Sequence, residues 1–114
     1  MFEREYILFL KDINECCLRI LDYTKYMSLN EFSENILVQD AVLRNLEVMG
    51  EAVKNIPEII KINHPEIEWR KIAGLRDILI HKYFGITIEI IWDMILNKIP
   101  ELQNNISITI NDIK

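Results

Sequence analysis

Residues 3–27, EREYILFLKDINECCLRILDYTKYM, decide the fold. In this stretch and the residue before it, Phe2, Tyr6, Phe9, Ile13, Cys16, Ile20 and Tyr23 recur at intervals of three and four, with charges between them. That period belongs to one face of an α-helix, not to the alternation of a strand. The stretch predicts one long amphipathic helix over about Glu3 to Met27, and its apolar side has to be covered by other helices.

The rest of the chain supplies them. Ser28 to Glu34 carries cap-type residues before acids and reads as a connector with at most a turn of helix. A second long helix is expected from Asn35 to Asn55, with Val38, Val42, Leu46, Met49, Val53 and Ile56 as its stripe. Gly50 inside it calls for close approach of another helix. Glu51 beside it reads as a solvated or paired acid. Pro57 can open a short helix through Ile62, and His64-Pro65 marks a loop in which His64 is expected to be exposed. A third helix is expected over Glu68 to His81, with Gly85 as its stop. Thr87 caps the next helix, which carries Ile88, Ile91, Trp92 and Ile95. Pro100 either opens a last helix ending near Asp112 or kinks a continuous one.

With 114 residues, half of them hydrophobic, and only three glycines and three prolines, the composition is that of long elements and few turns. The expectation is one all-α domain over residues 1–114, an up-and-down bundle of four to five helices. Trp69 and Trp92 are expected as core or interface anchors. Cys16 and Cys17 are adjacent, a poor geometry for a mutual disulfide, and read as two small apolar thiols of a reduced, intracellular protein. No signal peptide and no run of eighteen apolar residues is present in the sequence, so a soluble, cytoplasmic chain without a membrane partner is expected.

The formal net charge of −5 argues against a protein that coats nucleic acid, and no DNA partner is expected. The charge is uneven. Residues 1–40 hold eight acids against four bases, whereas residues 69–83 hold Arg70, Lys71, Arg76 and Lys82 against Asp77 alone. That short basic window suits a local anion site.

Within it, Arg76-Asp77-Ile78-Leu79-Ile80-His81-Lys82-Tyr83 places an arginine, a histidine and a tyrosine at fixed spacing in an apolar run. These residue types suit metal-independent cleavage of an RNA phosphodiester. Histidine titrates near neutral pH and can take a proton from the ribose 2′-hydroxyl or give one to the leaving oxygen. Arginine's planar fork fits the charge that gathers on the phosphorus oxygens. Asp77, one helical turn before His81, can orient the imidazole, hold Arg76 or form an ordinary surface pair. On a straight helix Arg76 and His81 are about 140° apart. Either the arginine wraps round, or the helix loosens before Gly85, or a second copy completes the site. Two histidines, no His-Glu-x-x-His pattern and no glycine-rich loop leave no basis for a metal or a nucleotide cofactor.

The segment Gly74 to Tyr83, preceded by Trp69-Arg70-Lys71-Ile72 and by Arg44 to Ala52, and followed by Ile91-Trp92-Asp93 and Ile99-Pro100-Glu101-Leu102, closely resembles the HepT-like branch of the HEPN superfamily. The likeness runs in the same order along nearly the whole chain. It implies a HEPN helical bundle, usually a homodimer, with the motif lining a cleft near the dimer interface. It further implies the toxin of a toxin–antitoxin pair acting as an RNase, with Arg76 and His81 as the catalytic pair and Asp77 at the polar position after the arginine. Tyr83 matches the tyrosine to which a partner nucleotidyltransferase of the MntA type transfers AMP. The other reading is a non-catalytic helical dimer that docks such a nucleotidyltransferase and serves as its acceptor.

Overall fold

The first helix ends three residues before its periodicity suggests. In the computed structural model, which describes the backbone of residues 2–81 and 88–113 and the side chains of 5–75 and 88–113, α1 spans Phe2–Thr24. The Thr24 hydroxyl donates to the Ile20 carbonyl at 2.8 Å, and the Met27 N–H reaches back to the Thr24 carbonyl at 3.1 Å. Between them Tyr26 takes a left-handed conformation, φ 68°, which closes the helix. Ser28 then starts α2 (Leu29–Glu34) through a reciprocal cap: its hydroxyl accepts from the Glu31 N–H at 3.1 Å, and the Glu31 carboxylate accepts from the Ser28 N–H at 3.0 Å.

A side chain at a left-handed position costs about 1 kcal/mol that glycine avoids. Tyr26 is 93% exposed, so burial returns nothing for it. Tyr26→Gly is therefore expected to raise stability by about 1 kcal/mol, read as a higher urea midpoint at unchanged slope; a lower midpoint would show that the ring contributes to the fold.

The buried face of α1 is rotated from the expected one. Leu10, Ile13, Cys16, Cys17, Ile20 and Thr24 are buried, whereas Tyr23 is exposed and Tyr6 and Phe9 only lean on the core. A stripe built on aromatics misplaced the helix by part of a turn, because a tyrosine at the end of a helix can point its hydroxyl to water.

Asn35 accepts the Val38 N–H at 3.0 Å and opens α3 (Ile36–Val53), whose Val42, Leu46, Met49 and Val53 are buried as expected. Gly50 is buried mid-helix. Pro57 precedes the short α4 (Glu58–Asn63), and α5 follows over Trp69–His81. Gly85 and Thr87, the expected stop and cap, lie outside the described residues. The last rod comprises α6 (Ile88–Asp93), a π-helical turn (Met94–Lys98) and α7 (Ile99–Ile113). Pro100 lacks an N–H and its ring crowds the carbonyl one turn back. The chain meets this by widening the preceding turn, where the Ile99 N–H reaches the Met94 carbonyl five residues back.

The long elements form an up-and-down bundle. α1 packs on α3 and α7, and α3 also packs on α5. Phe32 of α2 meets Trp92 at one end of the last rod, with ring centroids 5.1 Å apart, while Asn14 accepts from Gln103 at 3.1 Å farther down, so the rod runs antiparallel to α1. The short α2 turns the chain back into α3. His64 lies beside Thr109 and Glu68 beside Lys98, so α5 climbs from the far end toward the start of α6. Trp69 is buried and donates its indole N–H to the His64 carbonyl at 3.0 Å. Both tryptophans are core anchors.

Burial pushes the Cys16 thiol up to about 11 and the Cys17 thiol up to about 12. Both are free. Because the folded thiols stay protonated where unfolded ones ionise, stability is expected to fall as pH rises from about 9 through 11 and 12. A thiol reagent at pH 8 should label neither until denaturant is added; labelling of the native protein would contradict this burial.

Candidate functional site

α5 begins at Trp69, held by the indole hydrogen bond, and its first turns carry Arg70 and Lys71 to solvent. On this helix the Lys71 ammonium lies 2.7 Å from the Glu68 carboxylate, and Lys98 of the π turn approaches the same carboxylate at 3.7 Å. The Lys71 hydrogen bond and charge, then the Lys98 charge, hold the Glu68 carboxyl below its usual range; the same bond holds the Lys71 ammonium above its own. One acid thus anchors two bases and ties the foot of α5 to the last rod.

Above this tie α5 and α7 part and leave a cavity of about 370 Å³. Met49, Ile72, Gly74, Leu75, Ile99 and Leu102 form much of its wall, with Glu68, Lys71 and Lys98 among its polar lining. A Cβ added at Gly74 would meet nothing within 4 Å, so the turn of α5 just before Arg76 faces open space.

Arg76, Asp77 and His81 all belong to α5, which is wound as α-helix through His81. The helix does not loosen between Arg76 and His81, so the backbone keeps the two positions about 140° apart. Asp77 precedes His81 by one turn. The side chains of Arg76, Asp77 and His81, and the whole of Tyr83, lie outside the described residues.

His64 departs from its expected exposure. Its side chain is only 15% exposed, with Nδ1 3.3 Å from the Thr109 hydroxyl and 3.9 Å from a Glu66 carboxylate oxygen. The Thr109 hydroxyl also donates to the Asn105 carbonyl at 2.9 Å, so it bridges the His64 ring to the backbone of α7. This partnership spans 45 residues of sequence, and no local pattern announces it. Glu51 is exposed and pairs with Lys54 at 3.9 Å. Among the described residues no group of three His, Cys, Asp or Glu could hold a metal ion, and no helix is long and apolar enough to cross a membrane.

The sequence pattern of a family described as ribonuclease HepT-like matches residues 13–108. A Methanocaldococcus jannaschii protein named as a candidate RNase is 48% identical over 93% of this chain and 88% of its own length. A second protein from that organism, named in the same way, is 41% identical over all of this chain and 94% of its own. A Thermococcus cleftensis protein named as a candidate ribonuclease HepT is 42% identical over 83% of this chain and 86% of its own. No solved structure matches the chain at a significant level.

Proposed function

Given that the chain belongs to the HepT-like ribonuclease family, we propose that it is a metal-independent endoribonuclease, the toxin of a toxin–antitoxin pair, with Arg76 and His81 as its catalytic residues. The observation that carries this reading is their position: five residues apart on one unbroken helix, within the span that matches the family, and following directly on Gly74 and Leu75, which line the cavity. His81 takes the proton of a ribose 2′-hydroxyl as its oxygen attacks the adjacent phosphorus, forming a cyclic phosphate and expelling the 5′-oxygen of the next nucleotide, which becomes a hydroxyl by taking a proton from water. Arg76 meets the charge on the non-bridging oxygens. Asp77 steadies His81 or Arg76 from one turn away.

Tyr83 is the control point. AMP transferred to its hydroxyl by a partner nucleotidyltransferase of the MntA type would put phosphate charge two residues from His81, occupying the site and repelling RNA. With the helix unbroken from Arg76 to His81, two arrangements remain, an arginine that wraps round the helix or a homodimer in which a second copy completes the site. In the homodimer, activity per chain should fall on dilution below the dimer dissociation constant; constant specific activity across that range would exclude a shared site.

The test is RNA cleavage by the purified chain in excess chelator, with mass spectrometry of the chain co-expressed with such a nucleotidyltransferase. Cleavage without metal, and added AMP mass on the Tyr83 peptide, are expected. Complete dependence on a divalent metal would overturn the catalytic reading, and AMP on another residue would overturn the assignment of Tyr83.

A further inference from the structure

We propose that the end of the bundle formed by the α1–α2 turn, α2, the start of α3 and the outer side of α6 is a docking surface for a protein partner that presents apolar side chains within a basic frame. Six large apolar side chains are exposed on these elements: Tyr26, Ile36, Leu37 and Ile90 by more than half, and Tyr23 and Leu29 by over a third. Ile36 and Leu37 are 70% and 81% exposed at adjacent positions, so the first turn of α3 shows apolar surface on two sides. Packing of α2 on both α3 and α6 brings these elements together. Tyr26 reaches solvent from a left-handed backbone position that disfavours any side chain; its ring carries the Lys25 ammonium 5.7 Å from its centroid, an exposed contact, and neither burial nor backbone preference accounts for it.

Charge selects the occupant. Residues 22–40 and 88–93 hold Asp22, Glu31, Glu34, Asp40, Glu89 and Asp93 against Lys25 alone, an excess as large as the net charge of the whole chain. Asp22, Glu31, Glu34 and Glu89 are exposed on the same elements that carry the apolar side chains, and Lys25 is held by Asp22 at 2.9 Å. RNA is repelled by such a surface. A second copy joined through the same patch about a two-fold axis would set these acids against their own kind. A different protein with basic residues around an apolar centre satisfies both features. Under the reading proposed above, on which this identification rests, that protein is the nucleotidyltransferase, and the surface adjoins the start of the last rod, a few residues beyond Tyr83.

The full-length chain and an MntA-type nucleotidyltransferase would be titrated by calorimetry and by surface binding kinetics at several salt concentrations. Ile36→Ser combined with Leu37→Ser is expected to weaken binding at least tenfold. Glu34→Lys should slow association and flatten its salt dependence, and Tyr26→Gly should weaken binding while raising the melting temperature. If the double variant melts early, Glu34→Lys, at an exposed site, still carries the test. Absent binding by the wild type, affinities within twofold in all variants, or a dimer that turns monomeric on losing Ile36 and Leu37 would overturn the proposal. RNA cleavage by the isolated chain should be unchanged in every variant. A wild type that cleaves no RNA yet binds as described would overturn the catalytic reading and leave the docking surface standing.

Discussion

Replacing His81 with alanine is expected to lower RNA cleavage by roughly two to four orders of magnitude, and Arg76→Ala by roughly two to three. Neither change should alter the melting temperature by more than a few degrees. The imidazole is the group in the motif that exchanges a proton near neutral pH, so its removal takes away the path for the 2′-hydroxyl proton. In the proposed reaction the guanidinium acts on charge that exists mainly in the transition state, so its loss should appear in kcat more than in KM. Because the proposed mechanism has both residues serve one step, the double variant should fall little further than the worse single variant. Single-turnover cleavage of a labelled oligonucleotide in chelator decides the matter: two variants as active as the wild type would remove Arg76 and His81 from the chemistry. Arg76→Lys separates charge from shape, since a lysine keeps the charge and loses the planar fork.

Phe32→Ala is expected to cost about 3–5 kcal/mol of stability. Phe32 is fully buried, and its ring meets Trp92 at 5.1 Å and a tilt of 34°. It is the buried residue of a six-residue helix that is too short to persist without tertiary packing. The loss should therefore include the α2 contacts with both α3 and α6. Urea unfolding followed by circular dichroism would measure it; a loss under about 1 kcal/mol, well below the usual range for a buried phenylalanine, would show that the surroundings of α2 hold without this anchor.

The helices were legible because their evidence is local. Apolar spacing marked α3 and α5 to within one or two residues at each described end, and Ser28, Glu31 and Asn35 act at the helix starts as their types suggest. Rotation of α1 about its axis was not legible, since Tyr23 counts as apolar in a periodicity while its hydroxyl makes exposure cheap. The π turn was half legible: Pro100 signalled a disturbance, but whether a helix breaks or widens depends on what packs against it. In the site, the positions of Arg76, Asp77 and His81 on one helix followed from spacing alone. The shared grip of Lys71 and Lys98 on Glu68 and the seating of His64 against Thr109 join residues 30 and 45 apart in sequence, where no local rule operates.

The widened turn at Met94–Lys98 also settles a matter of phase. Ile91, Ile95 and Ile99 are buried at steps of four, and in an α-helix each such step drifts about 40° round the axis. A turn that takes in an extra residue absorbs the drift, so one rod turns Trp92 toward Phe32 at its head and Ile106 and Ile110 toward the core lower down. Forcing this turn into α-winding at unchanged chain length would swing the head of the rod by about 100° relative to its tail, and removing one residue as well would restore the phase. In the swung rod Trp92 would leave Phe32, and α6 would start from a different azimuth. The winding between Asp93 and Pro100 therefore acts as a clutch between the folded core and the head of the rod.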